Sequence, residues 1–312
     1  MISATAPGKV VLWGEYAVLE GAPAAVLAVD RFAACVLETS RTWRFSTGGF
    51  EAPAIEFARL PSRTPADAAA ILPWQVLQEL PEALSTPVSV NMNTDGFFSG
   101  GAKLGLGSSA ALCVSAQAAF AALAGNRPDR GQALAAHRSL QAGRGSGIDI
   151  AASFLGGCLR FQNGKAESIP DALPYRCFVW VGESARTRRK LDLFADYLAH
   201  GDRTALKALA NRSEQLFNDP SRDALDAYAN ALKALDHAAG LSVYSPPHLA
   251  AERLANASGL VYKPCGAGGG DVGVAVADTP EPLPRFAASA EALGFTILKL
   301  EMAAHGVQVE HT

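Results

Sequence analysis

Three glycine-rich stretches and one isolated carboxylate carry the residues best suited to chemistry. The first stretch is Ala6-Pro7-Gly8-Lys9, followed by Gly14-Glu15-Tyr16-Ala17-Val18-Leu19. A lysine after Pro-Gly and ahead of an apolar run is held near rigid backbone. That placement suits a cation meeting an anion at one point; the alternative is a solvated lysine in a turn. The second stretch is Lys103-Leu104-Gly105-Leu106-Gly107-Ser108-Ser109-Ala110-Ala111-Leu112. Its glycines let the backbone approach a ligand, and a following helix would aim free N–H groups and its dipole at a phosphate. The serines can cap the helix, donate to phosphate or touch a metal. The alternative is an ordinary turn with a serine cap. The third stretch runs from Lys263-Pro264-Cys265 through Gly266-Ala267-Gly268-Gly269-Gly270-Asp271. Either this backbone wraps a ligand or two strands meet at a crowded crossing. Asp149 lies in Gly145-Ser146-Gly147-Ile148-Asp149-Ile150. A carboxylate among small and apolar residues is partly buried and wants a cation or several donors. Its alternative is a helix N-cap.

Several chemistries are excluded by spacing. No G-x-x-x-x-G-K-[ST] phosphate loop occurs. Gly107-Ser108-Ser109-Ala110-Ala111 ends in alanine where a hydrolase elbow needs glycine. The segment from Gly268 to Gly273 matches G-x-G-x-x-G, but a strand-like run follows where a dinucleotide site needs a helix.

The elements that must position these residues read as a mixed α+β pattern. Strands are expected over 10–12, 24–29, 33–38, 87–92, 154–161, 176–181, 272–277 and 296–302. Helices are expected over 65–84 (broken by Pro73 and Pro81), 108–124, 130–141, 188–199, 204–217, 223–239 and 247–257. The 108–124 helix starts at a serine cap and stops before Gly125. Asn163-Gly164 marks a turn near a domain boundary. No regular β-α alternation runs through the chain, which disfavours a doubly wound sheet.

Composition narrows the partners. The chain has 312 residues, 49% hydrophobic and 18% charged, enough apolar material for a sizeable core of about two domains. A formal charge of −3 disfavours general binding to nucleic acid or anionic membrane. No apolar run reaches the roughly 18 residues of a membrane span. Lys9 and Glu15 interrupt the N-terminal region, so it does not read as a signal peptide. Five scattered cysteines without C-x-x-C, and six histidines without H-x-x-x-H, argue against a disulfide scaffold or zinc site. A cytoplasmic location is expected, and a homodimer is left open.

Taken in order, P-G-K, G-L-G-S-S-A-A before a helix, G-S-G-I-D and G-A-G-G-G-D resemble the GHMP kinases. That superfamily is named for galactokinase, homoserine kinase, mevalonate kinase and phosphomevalonate kinase. The resemblance spans nearly the whole chain. It implies a two-domain α+β fold, with a left-handed β-α-β unit in an N-terminal domain (1–165), a C-terminal domain (166–312), and an active-site cleft between them. It implies ATP binding by Lys103, Gly105, Leu106, Gly107, Ser108, Ser109 and Ala110, with Mg2+ touching Ser109. Lys9 would sit near the γ-phosphate and the acceptor oxygen, and Asp149 would orient or deprotonate the acceptor. Acceptor binding is implied for Glu15, Tyr16, Ser146, Gly147, Ser184, Arg186, Thr187, Arg188, Gly266, Ala267, Gly268 and Gly269.

Within the superfamily, G-E-Y-A-V-L, Lys103 ahead of Gly105, and Lys263-Pro264 with Asp271 resemble the phosphomevalonate kinase branch. The implied reaction is ATP-dependent phosphorylation of 5-phosphomevalonate to 5-diphosphomevalonate, in isoprenoid precursor synthesis. Phosphomevalonate adds about one to two negative charges relative to mevalonate. Arg186, Arg188, Arg189 and Lys190 form a cationic cluster that could meet them, with Lys103 and Arg144 alongside; a solvated basic helix end is the alternative. Two departures stand out. Cys265 replaces the usual Ser or Thr, and no acidic residue lies between His137 and Asp149. Mevalonate kinase, a decarboxylase of phosphorylated mevalonate and a non-catalytic ligand-binding protein are the competing readings. Retention of both Lys9 and Asp149 favours catalysis over the last.

Overall fold

The computed structural model describes residues 1–48, 53–85, 87–141, 143, 145–182 and 187–311. The chain begins with β1 (Ile2–Trp13), β2 (Ala24–Thr39), β3 (Trp43–Gly48), β4 (Ile55–Phe57), α1 (Ala68–Gln78) and β5 (Val88–Asn93). A hairpin of β6 (Phe98–Ser99) and β7 (Ala102–Lys103) leads into α2 (Ser108–Leu123), α3 (Arg130–Leu140) and α4 (Ile148–Leu155). Next come β8 (Cys158–Gln162), β9 (Lys165–Ile169) and β10 (Arg176–Trp180). Four helices follow: α5 (Thr187–His200), α6 (Thr204–Asn218), α7 (Arg222–Ala239) and α8 (Pro246–Ala257). The chain closes with β11 (Val261–Pro264), β12 (Val272–Val276), α9 (Pro282–Ala292), β13 (Thr296–Leu298) and β14 (Gln308–His311).

The strands form two main sheets in a mixed α+β architecture. The larger has the order β14-β1-β2-β5-β3-β4, with β8 on β2 and β9 on β8; the smaller runs β11-β12-β10-β13. β3 and β5 are parallel, joined through β4 and α1. The other strand pairings among the described residues are antiparallel. Residue 165, where a domain boundary is expected, opens β9 within the larger sheet, and β14 returns to pair with β1.

The sequence understates β1 and β2. Pro7-Gly8 produces a register shift inside one 12-residue strand where a turn is expected. Gly8 is needed there, because a Cβ would stand 2.7 Å from both the Leu106 carbonyl and the Phe97 ring. The expected strands 24–29 and 33–38 are one strand, continuous through Asp30 and Arg31. The expected strand 154–161 divides between the end of α4 and β8, because Gly156 and Gly157 break the chain there with positive φ. α1 runs through Pro73, and β11 is buried along its length although it contains Lys263 and Pro264.

α2 is buried on nearly every side, as its alanine-rich composition demands of a helix between layers. It packs on β1, β2 and α4. Leu12, Trp13, Leu27, Phe45 and Phe120 belong to the main core, while Val179, Tyr262, Ala275 and Phe286 fill a second core on the smaller sheet. No helix among the described residues is long and apolar enough to cross a membrane.

Candidate active site

The amide of Lys9 donates to Leu106 O at 2.8 Å, which ties β1 to the second glycine stretch. Gly107 is the N-cap of α2 with φ 81°, so Ser108 opens the helix as its first residue. The cap is therefore glycine, where serine is expected. No side chain caps this end, which leaves the first-turn N–H groups facing outward. Ser108 is buried and Ser109 exposed. Gly105, also at positive φ, lies against Asp271; a Cβ there would overlap the Asp271 carboxyl group.

Ser109 Oγ lies 3.2 Å from His137 Nε2, and the Gln141 amide nitrogen lies 3.3 Å from the same atom. The amide nitrogen only donates, so this imidazole nitrogen accepts and Ser109 donates its proton to it. The serine's lone pairs then remain available to a ligand. Burial lowers the His137 pKa and favours the neutral ring, against the opposing charge of Asp149.

A cavity of about 430 Å³ opens beside this loop. Lys9, Glu15, Tyr16, Ser146, Asp149, Gly266 and Ala267 line it, drawn from both halves of the chain. Val11, Val18, Leu19, Leu140, Ile148 and Leu191 give it a largely apolar wall. A smaller cavity of about 110 Å³ adjoins Gly105, Leu106, Cys265 and Asp271, and Lys9 lines both. The ammonium of Lys9 makes no ion pair among the described residues. Asp149 sits in the first turn of α4, inside the helix and not at its cap, and accepts from the Ile150 amide at 3.0 Å. Gly147 is that helix's N-cap at φ 85°.

Other residues singled out from sequence stand elsewhere. Lys103 is exposed at the edge of β7, lining neither cavity. Gly268 and Gly269 pack against Val243, Lys190 and Ser242, where added Cβ atoms would collide. Gly266 and Ala267 line the cavity, whereas Gly268 and Gly269 make a crowded crossing with Lys190 and the segment between α7 and α8, not with a second strand. The basic cluster also divides. Lys190 Nζ is buried and donates to Leu241 O at 2.6 Å and Ser242 O at 2.8 Å, so it serves that crossing, while Arg189 is exposed. Arg144, Ser184 and Arg186 lie outside the described residues. Thr187 and Arg188 are described only as backbone opening α5.

Glu15 is engaged by protein groups. Its Oε1 accepts from Lys263 Nζ at 2.6 Å and from the Gly266 amide at 3.3 Å, and its Oε2 accepts from Tyr228 OH at 2.7 Å. Tyr16, at φ 60°, donates its hydroxyl to Ala267 O at 2.7 Å, and burial pushes its pKa up. Cys265 is a buried thiol with its pKa raised to about 11, mainly by desolvation, despite Lys263 beside it. His137, Gln141, Tyr228, Leu140 and Leu191 escaped the sequence reading because no local motif marks them.

Residues 72–157 match the family model described as GHMP kinases N terminal domain. Phosphomevalonate kinase of Streptomyces sp. (strain CL190) is 30% identical, covering 88% of this chain and 89% of that protein. Mevalonate kinase of Pyrococcus furiosus is 27% identical, covering 99% and 98%. The structure of Streptococcus pneumoniae phosphomevalonate kinase in complex with phosphomevalonate and AMPPNP superposes with a TM-score of 0.75, at 19% identity over 97% of this chain and 100% of that one. The chain belongs to the GHMP kinase family of ATP-using phosphotransferases, in the group that holds mevalonate kinase and phosphomevalonate kinase.

Proposed function

We propose that the protein transfers the γ-phosphoryl group of ATP to 5-phosphomevalonate, with the nucleotide held by residues 1–165 and the acceptor shared with residues 166–312. The observation that carries this reading is the cavity lined by both Lys9 and Asp149 beside the open end of α2. Its apolar wall suits a branched aliphatic acid better than a sugar, whose hydroxyls would each need a polar partner. Leu191, one turn into α5, lines the cavity. A helix start favours the acceptor's phosphate. The higher identity to a phosphomevalonate kinase than to a mevalonate kinase points the same way.

Phosphoryl transfer needs positioning and charge neutralisation more than covalent chemistry. The first-turn N–H groups of α2 receive the nucleotide's phosphates, and the glycines at 105 and 107 let this loop pack against Asp271 and the Lys9 side chain. Lys9, whose ammonium makes no ion pair among the described residues, offsets charge on the transferred group. Asp149 accepts the hydrogen of the acceptor hydroxyl and aims its oxygen. The hydroxyl oxygen of Ser109 and the carboxylate of Asp149 are hard oxygen donors that fit Mg2+. When bound, the metal supplies neutralisation of phosphate charge.

The test is ADP release measured over 5-phosphomevalonate, mevalonate, homoserine, galactose and no acceptor. The expected preference for phosphomevalonate over mevalonate is at least about tenfold in kcat/KM, or about 1.4 kcal/mol. Equal or better turnover of mevalonate would transfer the assignment to mevalonate kinase.

A further inference from the structure

The acceptor cavity has two walls from distant parts of the chain. Lys9, Val11, Glu15 and Tyr16 come from β1 and the turn after it; Gly266 and Ala267 come from the loop after β11. The walls are joined through one buried carboxylate. The side chains of Lys263 and Glu15 are 0% and 1% exposed, with 2.6 Å between Nζ and Oε1. The Gly266 amide reaches the same oxygen, and Tyr228 OH reaches the other. Tyr228 also accepts from the Gly14 amide at 2.8 Å, so its hydroxyl holds the backbone ahead of Glu15 as well as the carboxylate. Tyr16 completes the junction through Ala267 O.

An ion pair removed from water loses much of its Coulombic gain to desolvation, and apolar replacements of similar volume are often neutral or stabilising. Stability alone is thus a weak reason for a charged pair at this depth. Geometry is a better one: the carboxylate fixes the backbone on both sides of the cavity at once. We propose that Lys263 and Tyr228 are positioning residues for the acceptor, acting through Glu15 to hold the Gly14–Tyr16 turn and the Gly266–Ala267 loop at one separation. The start of α2 shares none of these hydrogen bonds, although Gly105 packs against Asp271 at the far end of the loop that carries Gly266 and Ala267, so ADP affinity is expected to be retained when the junction is cut. The proposal rests on the reading of this cavity as the acceptor site.

The decisive variant carries Glu15→Leu and Lys263→Met together, which removes both charges. Four measurements apply: thermal stability, ADP affinity by calorimetry, acceptor KM, and amide exchange of the peptide spanning residues 265–270. KM is measured with whichever acceptor the wild-type protein phosphorylates, so an error in the acceptor's identity leaves this test intact. The expected result is a folded protein with unchanged ADP affinity, at least tenfold higher acceptor KM, and faster exchange at 265–270 than in the wild type. Tyr228→Phe, which removes one hydroxyl, should shift acceptor KM and exchange in the same direction by a smaller factor, and it serves should the double variant fail to fold. Wild-type acceptor KM and wild-type exchange in either folded variant would overturn the proposal. Equal loss of ADP affinity and acceptor affinity would also overturn it, by making the junction a general support of the fold.

Discussion

Gly107 packs against the aliphatic chain of Lys9: a Cβ at position 107 would stand 3.1 Å from both Cγ and Cε of the lysine. The proposed phosphate loop and the proposed transfer cation therefore share one packing contact. Gly107 also holds φ 81°, which a β-branched residue tolerates poorly. Gly107→Val is expected to weaken ADP binding at least about tenfold by calorimetry, or about 1.4 kcal/mol. It should also lower kcat by displacing Lys9. Unchanged nucleotide affinity in a folded Gly107→Val protein would count against the loop's assignment.

Where glycine and serine punctuate the chain, the sequence was readable. α2 was expected over 108–124 and ends at Leu123, because Gly107 and Gly125 bracket an uninterrupted run of helix formers. Motif order also led to Lys9 and Asp149, which do share a cavity. What could not be read was pairing across the chain. Tyr228 and Glu15 are 213 residues apart, and nothing near Tyr228 marks it as a partner of a carboxylate at the end of β1. β11 was hidden for a related reason: Lys263 reads as a surface residue until its partner Glu15 is in place. Lys190 misled in the opposite sense. As one of a run of cations it reads as a partner for acceptor charge or as part of a solvated helix end, yet two carbonyls of the 241–242 turn satisfy it inside the protein.

His137 supplies the acceptor that turns the Ser109 hydroxyl. His137→Leu removes that acceptor and leaves Ser109 and Gln141 without it. Loss of one hydrogen bond, about 1 kcal/mol, predicts an affinity for AMPPNP in magnesium buffer about fivefold weaker. His137→Gln, which keeps an acceptor oxygen, should recover most of it. Full affinity in the leucine variant would show that the serine's orientation is immaterial.

His248 is buried with both nitrogens in use, Nδ1 at 2.8 Å from Tyr262 OH and Nε2 at 3.0 Å from Gly270 O. Burial lowers its pKa to about 4; the Gly270 hydrogen bond opposes the shift, while Lys190 and Lys263 add to it. Above pH 6.5 the ring is neutral folded and unfolded, and stability is unaffected. Between about 6.5 and 4 the unfolded chain takes up a proton that the folded one refuses, so stability falls as pH falls. The loss reaches about 3 kcal/mol near pH 4 and then levels off. Stability followed from pH 7 to 4 should show this slope in the wild type and a shallower one in His248→Gln. Parallel slopes would remove His248 as the cause.

In the proposed reaction, Lys9 and Asp149 act on the transferring phosphoryl group and the acceptor hydroxyl from one cavity. Single-turnover phosphoryl transfer in Lys9→Met and Asp149→Asn, with ADP affinity measured on the same samples, tests it most directly. Each variant should lose about 10²-fold or more in the rate of transfer while ADP affinity changes much less. Near-normal transfer by either folded variant would contradict the account.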